Sequence, residues 1–277
     1  MMRKLQKRGR ELTTICTGGE VTVSVVENQA DLKQFLQEHD EYYILGYGSN
    51  VLIPDMGLSI PLLQLGGDFK TLEIFDDHVF IGCAYSLMTA ARKLSGIVPI
   101  EFAAGIPASI GGAVKMNAGA HKAELSSVIH EIHTVLSNGE IKIFNNPVFE
   151  YRHTHLPNGC VVTGVSLKKN ASDLSESQAK LEANLSYRKQ TQPLTLPSFG
   201  SVFKNPHGHS AGELIEKAGL KGKVMGDVMI SSLHANWIVN PHKTGQTDDI
   251  LRLIDLCKET VFSSFGVVLE EEVVQLK

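Results

Sequence analysis

The chain has 277 residues, which is enough for one large domain or two modest domains with a substantial hydrophobic core. It carries 26 basic and 30 acidic side chains, and the net charge of −4 argues against a nucleic-acid-binding surface but allows a small anionic substrate. The basic N-terminus lacks the apolar core of a signal peptide and no apolar run has the length of a membrane span, so we expect neither secretion nor membrane insertion.

The first predicted elements are a strand, a helix and a second strand. Residues 21–26 alternate like a strand, and residues 42–45 form a short apolar strand. Between them, Leu32, Phe35 and Leu36 mark one face of a helix.

Two hairpins are predicted next, on either side of a helix and a glycine-rich stretch. The first joins residues 71–74 to residues 79–82, and the second joins residues 128–136 to residues 140–144 through a Ser-Asn-Gly turn. The helix between them carries Leu87, Ala90, Ala91 and Leu94 at helical spacing.

The second half mixes strands and helices and contains the best internal boundary. A strand at residues 161–167 precedes an amphipathic helix at residues 174–187. The polar segment 189–197 carries two prolines, which predicts a domain junction between residues 1–188 and residues 189–277. Beyond it we predict an extended segment at 201–204, a helix at 211–218, a strand at 236–240, and a long helix that starts at Thr247.

The stretch 101–121 is rich in glycine and alanine, so its small residues allow close approach of the backbone to a neighbour. Gly105 and Pro107 predict a rigid turn, and Ser109 is a candidate helix N-cap. Gly111 and Gly112 would then leave the N–H groups of the first helical turn free to face a phosphate or pyrophosphate. The alternative is tight packing of a helix on a sheet without any ligand.

Another glycine turn, residues 46–50, follows the short apolar strand and is the first glycine turn in chain order. It begins like a dinucleotide-binding fingerprint, but Val51 stands where the third glycine belongs and no helix-forming run follows. Neither glycine cluster continues into Lys-Ser or Lys-Thr, which argues against a nucleoside triphosphatase loop.

Several polar side chains are candidates for chemistry. Ser201 follows Gly200 without the GxSxG elbow of a serine nucleophile, so it is a candidate proton donor with Lys204 and Asn205 as binders of a charged substrate. The alternative is a strand end with a surface lysine.

Arg152, beside Tyr151, is suited to clamp a carboxylate, but the residues alone favour a surface arginine packed on the tyrosine ring. In the Glu270–Glu272 run, alternation on an extended chain places Glu270 and Glu272 on one face and Glu271 on the other.

Metal binding is not expected. The histidine pairs 153/155 and 207/209 lack a further Cys or Asp at ligand spacing. The four cysteines form no CxxC pair and are predicted to be reduced thiols of a cytoplasmic protein; they are Cys16, Cys83, Cys160 and Cys257.

Seven motifs in order make the chain similar to the UDP-N-acetylenolpyruvoylglucosamine reductase family. The family's LGxGSNxL and GIPGxxGGAxxMNAGA segments and its Tyr-Arg pair match residues 45–52, 105–120 and 151–152. Its PSxGSxFKNP, AGLKG, HAN(F/W)IVN and GVxLExEV segments match residues 197–206, 218–222, 234–240 and 266–273.

This resemblance implies an α+β fold, the vanillyl-alcohol-oxidase-like FAD-binding fold of two α+β subdomains, with a C-terminal α+β substrate domain. The FAD domain would span 1–188, with subdomains at about 1–66 and 67–188, and the substrate domain 189–277. Family members use NADPH to reduce FAD and then reduce the enolpyruvyl double bond of UDP-N-acetylglucosamine enolpyruvate. The partners implied are this small-molecule substrate and NADPH, with no nucleic acid or membrane, and a monomer is expected.

The resemblance also implies roles for individual residues. Ser201 would donate a proton, and Arg152 and Glu272 would stabilise charge on the substrate carboxyl group. The implied cofactor-binding residues are Gly46, Tyr47, Gly48, Ser49, Asn50, Gly105, Ile106, Pro107, Ser109, Gly111, Gly112, Asn117 and Gly119. The implied substrate-binding residues are Tyr151, Lys204, Asn205, His234 and Asn236.

The chain departs from the family pattern at Ala108, His121, Phe199 and Val274, all outside the implied catalytic set. Its short C-terminal region resembles the smaller family type, which lacks an added substrate-covering loop. Two other functions stay open here: an FAD-dependent alcohol oxidase of the same fold, and a non-catalytic FAD or nucleotide-binding module.

Overall fold

Helices and strands alternate without a repeating pattern, and the structure, a computed structural model that describes residues 2–277, confirms the predicted α+β class. The α-helices in this range are α1 Gly9–Leu12, α2 Gln29–Glu38, α3 Leu87–Lys93, α4 Ile110–Lys115, α5 Leu174–Thr191, α6 Ala211–Lys217 and α7 Thr247–Phe265.

The strands are mostly short. They are β1 Arg3–Arg8, β2 Glu20–Val26, β3 Tyr43–Ile44, β4 Val51–Leu52, β5 Leu62–Leu65, β6 Leu72–Ile74, β7 His78–Gly82, β8 Gly119–Ala120, β9 Ala123–Glu124, β10 Ile129–Val135, β11 Ile141–Asn145, β12 Phe149–Glu150, β13 His153–Thr154, β14 Val161–Lys168, β15 Val224–Met225, β16 Val228–Ile230, β17 Ile238–Val239 and β18 Val274–Gln275.

The chain divides into two units. The sheet unit contains the N-terminal residues up to Leu5, Val23–Tyr47 and Pro61–Tyr187, and the C-terminal unit contains Gln6–Thr22, Gly48–Ile60 and Arg188–Lys277. Two early segments therefore belong with the C-terminal part of the chain. The division into an FAD domain at 1–188, with its two subdomains, and a substrate domain at 189–277 stays a prediction.

The first sheet has the order β1-β2-β5-β3, and β2, β5 and β3 run parallel. The predicted strand-helix-strand unit is confirmed as β2, α2 and β3, with β5 inserted between its two strands. Leu62 pairs with Val23 on one side and with Tyr43 on the other, which fixes the end of β3 where the first glycine turn begins.

The second sheet, with the order β11-β10-β14-β7-β6, is antiparallel and contains both predicted hairpins as β6–β7 and β10–β11. Strand β14 lies between them, and one face of the sheet packs on α3 and α4. Ile81 and Val165 on the strands and Leu87, Leu94 and Val114 on the helical side are almost fully buried in this core. The sheet therefore carries the glycine-rich stretch on its helical face.

The C-terminal unit has its own core around the antiparallel strands β15, β16 and β17, covered by α6 and α7. The predicted start of α7 at Thr247 is confirmed, but its N-terminal cap comes from a distant segment. The carboxylate of Asp55 accepts hydrogen bonds from the N–H groups of Thr247 and Asp248, each at 3.0 Å. An acidic group at this position also complements the helix dipole.

Helix α5 begins where predicted and runs four residues beyond the predicted end, so the first residues of the polar segment are helical. Its buried positions are Ser177, Leu181 and Arg188. The predicted amphipathic character is wrong, because the face that turns inward carries a serine and an arginine instead of an apolar stripe. Residues 2–277 contain no helix with the length and apolar content that a bilayer crossing requires.

Candidate active site

The glycine-rich stretch forms a turn followed by the short helix α4. Gly105 has a φ of 80°, a backbone conformation that favours glycine. Ser109 is the N-cap of α4, as predicted, and its Oγ accepts a hydrogen bond from the N–H of Gly112 at 3.3 Å.

The expectation that the first-turn N–H groups are free for an anion is wrong. The N–H of Ile110 donates to the carbonyl of Tyr85 at 2.9 Å, and that of Gly111 donates to the carbonyl of Cys83 at 2.8 Å. With the N–H of Gly112 on Ser109, protein acceptors occupy these donors, so any cofactor contact here uses other atoms.

The first glycine turn meets this stretch within the sheet unit. A Cβ atom on Gly46 would lie 2.3 Å from Oγ of Ser109, so only glycine permits this approach. The hydroxyl of Tyr47 donates to the carbonyl of Ala84 at 3.3 Å, and its side chain is 43% exposed. Pro107 and Gly112 are also exposed. Together these residues present a surface of backbone, small side chains and one aromatic ring, which fits a flat cofactor.

The side chain of Asn117, which is predicted to bind the cofactor, makes hydrogen bonds to other residues of the protein. It is 1% exposed, and its amide Nδ2 donates to Oε2 of Glu124 at 2.8 Å and to the carbonyl of Glu150 at 3.1 Å. Its Oδ1 accepts from the N–H of Ser126 at 3.0 Å. This side chain therefore anchors the β8–β9 hairpin, in which Gly119 lies.

Arg152 reaches the same hairpin. Its Nη2 donates to the carbonyl of Gly119 at 3.3 Å, and its guanidinium carbon lies 4.9 Å from the ring centre of Tyr151. Its φ of 59° is a left-handed conformation, which costs energy for a residue other than glycine. The predicted packing on Tyr151 is present, and it holds the guanidinium at the end of the glycine-rich stretch.

Ser201 and Glu272 lie on neighbouring extended segments of the C-terminal unit. The N–H of Glu272 donates to the carbonyl of Val202 at 2.8 Å, and the N–H of Lys204 donates to the carbonyl of Glu270 at 2.8 Å. This pairing places the backbone segments that carry Ser201 and Glu272 side by side, although 71 positions separate the two residues in the sequence.

Asn50, from the first glycine turn, secures the segment that carries Glu272. Its Nδ2 donates to the carbonyl of Glu272 at 3.0 Å, and its own carbonyl accepts from the N–H of Val274 at 3.0 Å. Strand β18 then pairs in parallel with β4, next to Asn50. The predicted cofactor-binding side chain of Asn50 thus also positions a predicted catalytic residue.

Gly48 tolerates no side chain. Its φ is 65°, and a Cβ atom would lie 1.9 Å from the carbonyl oxygen of Leu12. The carbonyl of Gly48 accepts from the N–H of Thr14 at 3.0 Å, and the hydroxyl of Thr14 donates to the carbonyl of Ser198 at 2.5 Å. Sequence reasoning missed Thr14, since a single threonine carries no distinguishing signal. Ser49 is half-buried in this turn.

Among the predicted substrate-binding residues, Asn236 and Asn205 have structural hydrogen bonds. Oδ1 of Asn236 accepts from the N–H of Phe203 at 3.0 Å, and its Nδ2 donates to the carbonyl of Phe203 at 2.8 Å. Oδ1 of Asn205 accepts from the N–H of Ala211 at 3.0 Å, at the start of α6. Both asparagines shape the segment around Lys204, whose ammonium pairs with Glu270 at 2.5 Å.

His234 is a partly buried histidine next to Asn236, which shapes the segment around Lys204. Its Nδ1 accepts from the N–H of Asn236 at 3.2 Å. Burial lowers the pKa of His234 below its ordinary value, and the positive charge of Lys221 lowers it further. A neutral ring therefore keeps Nδ1 as the acceptor, which leaves Nε2 as the N–H of the ring.

Two further predicted site residues, Ile106 and Tyr151, differ in their exposure to solvent. Ile106 is half-buried and packs against the core of the sheet unit, and Tyr151 is 46% exposed.

The thiols of Cys83 and Cys257 are buried, which raises the pKa of each to about 12 and makes both poor nucleophiles. Within residues 2–277, no three His, Cys, Asp or Glu side chains are grouped to hold a metal ion.

The site residues therefore form two groups. Gly46, Tyr47, the 105–119 stretch and Arg152 belong to the sheet unit, and Gly48, Asn50, Ser201, Asn236 and Glu272 belong to the C-terminal unit. The meeting of Arg152 with Ser201 and Glu272 stays a prediction.

Two family profiles match the chain. The profile described as "FAD binding domain" matches residues 15–145. The profile described as "UDP-N-acetylenolpyruvoylglucosamine reductase, C-terminal domain" matches residues 192–276.

Curated relatives match over nearly the whole chain. The UDP-N-acetylenolpyruvoylglucosamine reductase of Anoxybacillus flavithermus is 38% identical, covering 98% of this chain and 93% of the relative. That of Bacillus subtilis is 36% identical, covering 94% and 89%. The solved structure of a UDP-N-acetylenolpyruvylglucosamine reductase from Thermus caldophilus superimposes with a TM-score of 0.90 at 33% identity and covers 100% of both chains.

Proposed function

The chain belongs to the UDP-N-acetylenolpyruvoylglucosamine reductase family, and from this membership we propose that it reduces UDP-N-acetylglucosamine enolpyruvate to UDP-N-acetylmuramate in peptidoglycan synthesis. It is an oxidoreductase with an FAD-binding domain, and its cofactors are FAD and NADPH. The reductase names of its relatives favour this function over the alcohol-oxidase alternative.

FAD, when bound, supplies the transfer of hydride from NADPH to the enolpyruvyl double bond. The residues proposed to hold it are the two glycine turns, 46–50 and 105–112, with Gly119. The fit is supported by the Gly46–Ser109 approach and by the exposed backbone at Gly112, where a side chain would cover the surface. Since protein carbonyls and Ser109 occupy the first-turn N–H groups of α4, we assign no phosphate to that helix end.

Side chains of the protein supply the proton for the substrate and stabilise the negative charge that develops on its carboxyl group. Ser201 donates a proton to the carbon beside the substrate carboxyl group, while Arg152 pairs with the carboxylate oxygens. Glu272 contributes as a hydrogen-bond donor, and therefore in its protonated form, because an ionised carboxylate would repel the developing charge. A serine hydroxyl is a weak acid, so this transfer depends on close placement of Ser201.

The observation that carries this proposal is the hydrogen bond of 2.8 Å from the N–H of Glu272 to the carbonyl of Val202, the residue after Ser201. It brings two of the three proposed catalytic residues onto adjacent extended segments. Lys204, Asn205, His234 and Asn236 lie on or beside these segments, and we propose that Lys204 and His234 contact the sugar nucleotide. Tyr151 is proposed to contact it beside Arg152.

An absorbance experiment tests the proposal. The purified protein should be yellow, its flavin bands should bleach with NADPH without air, and the bands should return on addition of the enolpyruvyl sugar nucleotide. A protein that takes up no FAD, or whose reduced flavin does not respond to this substrate, would contradict it. Oxygen consumption with candidate alcohols would identify the oxidase alternative.

We further propose a cytoplasmic monomer, in which residues 1–188 bind FAD and residues 189–277 bind the substrate. The requirement for NADPH, a reductant of the cell interior, supports the compartment. Light scattering coupled to size-exclusion chromatography measures the monomer mass directly, and a dimer mass would contradict this part of the proposal.

A further inference from the structure

Ser177, near the start of helix α5, joins three segments of the sheet unit. Its hydroxyl donates to the carboxylate of Glu101, and it accepts from the hydroxyl of Ser95 at 2.8 Å and from the N–H of Gly96 at 3.0 Å. Ser177 is 1% exposed, and one donor with two acceptor positions is all that a hydroxyl offers. Ser177 uses all three, so it fixes Glu101 and the loop after α3 relative to α5.

Asn184, two turns further along the same face of α5, bonds the backbone of Glu101. Its Nδ2 donates to the carbonyl of Glu101 at 3.0 Å, and that carbonyl also accepts from the N–H of Ala104 at 3.1 Å. The second bond closes the short turn that ends directly before Gly105, which begins the proposed cofactor-binding part of the glycine-rich stretch. Glu101 is therefore bonded to α5 through both its carboxylate and its carbonyl.

Helix α5 also contacts the other end of the glycine-rich stretch. The ring of Tyr187 packs edge-on against the ring of His121, with 5.5 Å between the ring centres. His121 follows strand β8 at the tip of its hairpin, two residues after Gly119, another proposed cofactor contact. The proposed cofactor-binding residues between 105 and 119 thus lie between two points of attachment to one helix of the same unit.

The way α5 is held suits it to this role. Its inward face carries Ser177, Leu181 and Asn184, so hydrogen bonds replace most of the apolar stripe that usually holds a helix. Hydrogen bonds depend on distance and angle, whereas apolar contacts are non-directional. Glycine loses more conformational freedom on ordering than any other residue, so a glycine-rich surface binds more tightly when its neighbours have already ordered it.

We propose that Ser177, Asn184 and Tyr187 are positioning residues for FAD, which act by holding both ends of the glycine-rich stretch in its binding conformation. The inference rests on the proposed placement of FAD against this stretch, and it adds the helix that orders the stretch before the cofactor binds. None of the three side chains is assigned a contact with FAD itself.

The test compares variants at the first end of the stretch with matched controls on α5. Ser177→Ala and Asn184→Leu remove the bonds to Glu101, and Ser186→Ala and Gln178→Leu change exposed residues of the same helix. FAD affinity is measured by titration of the apoprotein, and the visible circular dichroism of the flavin is recorded at saturating FAD. UDP affinity, measured by calorimetry on the FAD-loaded protein, reports on substrate binding.

We expect Ser177→Ala and Asn184→Leu to weaken FAD binding by about 5- to 50-fold, because the cofactor must then order the stretch. The flavin dichroism should change, since the ring lies against an altered surface, and UDP affinity should stay nearly unchanged. Both controls should match the unmodified chain.

Two further changes test the proposal where the fold is little disturbed. Glu101→Gln keeps an oxygen acceptor for Ser177 and should bind FAD nearly normally, whereas Glu101→Leu should weaken it as Ser177→Ala does. Tyr187 is 56% exposed, so Tyr187→Leu removes the far contact without opening the core, and it should weaken FAD binding by about 2- to 10-fold.

Urea unfolding of the apoprotein separates positioning from stability. If the variants lower only the free energy of unfolding, and the folded proteins keep the FAD affinity and flavin dichroism of the unmodified chain, the inference is overturned. Equal weakening by Glu101→Gln and Glu101→Leu would overturn it as well. The proposed function would survive both results, whereas an unmodified chain that binds no FAD would contradict the function itself.

Discussion

The side chain of Asn236 bonds both backbone groups of Phe203, accepting from its N–H at 3.0 Å and donating to its carbonyl at 2.8 Å. The carbonyl of Asn236 also accepts from the N–H of Val202 at 2.9 Å. One asparagine therefore holds the two residues that follow Ser201, in addition to the pairing of this segment with residues 270–272. The position of the proposed proton donor depends on this contact.

Replacement of Asn236 by leucine should reduce both stability and turnover. The variant leaves the N–H and carbonyl of Phe203 without partners in a buried place, which costs about 1–3 kcal/mol for each group. Urea unfolding measures the loss, and kcat should fall because Ser201 is less firmly placed. Asn170→Leu, at an exposed position, is the control and should leave both quantities nearly unchanged. An Asn236→Leu protein with unaltered stability would contradict the structural role.

Replacement of Ser201 by alanine should separate the two half-reactions. Reduction of the flavin by NADPH should continue at a normal rate, because Ser201 takes no part in it. Reduction of the enolpyruvyl substrate should slow by about 10²- to 10⁴-fold, the usual contribution of a positioned proton donor. Stopped-flow absorbance measures both steps, with exposed Ser232→Ala as the control. Loss of both half-reactions together would refute the proton-donor role.

Replacing Gly48 and Gly208 by alanine separates two effects: a clash of the new Cβ atom with a neighbouring atom, and the strain of a positive φ. Both have positive φ values, 65° and 75°, but a Cβ atom on Gly48 would meet Leu12 at 1.9 Å whereas one on Gly208 meets nothing within 4 Å. Gly208→Ala should cost about 1–2 kcal/mol from conformation alone. Gly48→Ala should cost more and should weaken FAD binding as well. Equal losses in urea unfolding would show that the approach to Leu12 is unimportant.

The stability of the protein should depend on pH through His234. Its folded-state pKa lies below the unfolded value of about 6.5, because burial disfavours the charged ring. The unfolded chain therefore binds a proton first as the pH falls, so this contribution to stability is present above about pH 6.5 and is lost below it. Protonation of Nδ1 would also break its bond with the N–H of Asn236.

Measurement of the His234 ring by NMR titration should give a midpoint below the ordinary histidine value. Urea unfolding between about pH 5 and pH 8 should show a fall in stability on the acid side of the unfolded pKa. His234→Asn should flatten part of this slope, since the other titrating groups remain. A midpoint at or above the ordinary value would contradict the effect of burial.

Much of the fold follows from local patterns in the sequence. The alternation at 21–26, the turn residues at 137–139 and the helical spacing from Leu87 to Leu94 each predict an element that the structure contains. These signals are local, because a strand or an amphipathic helix must place its apolar side chains on one face wherever it packs. The ordered motifs likewise indicated the family, which the comparisons confirm.

Other features depend on partners that are distant in sequence. The sequence shows that Ser109 caps a helix, but not that the carbonyls of Cys83 and Tyr85 take the N–H groups of that helix. It shows an asparagine in each of three motifs, but not that Asn50, Asn117 and Asn236 use their amides to hold backbone. An amide serves a ligand or the chain equally well, so only the neighbours decide its role.

The sequence by itself determined the α+β class, most elements and the family, because periodicity, turn residues and motif order are properties of adjacent residues. Tertiary structure alone decided that Glu272 lies beside the Ser201 segment, that Asp55 caps α7 and that α5 buries Arg188. Each of these results depends on a hydrogen bond or on burial between residues far apart in the chain. Such contacts arise from the packing of whole elements, and no local pattern encodes them.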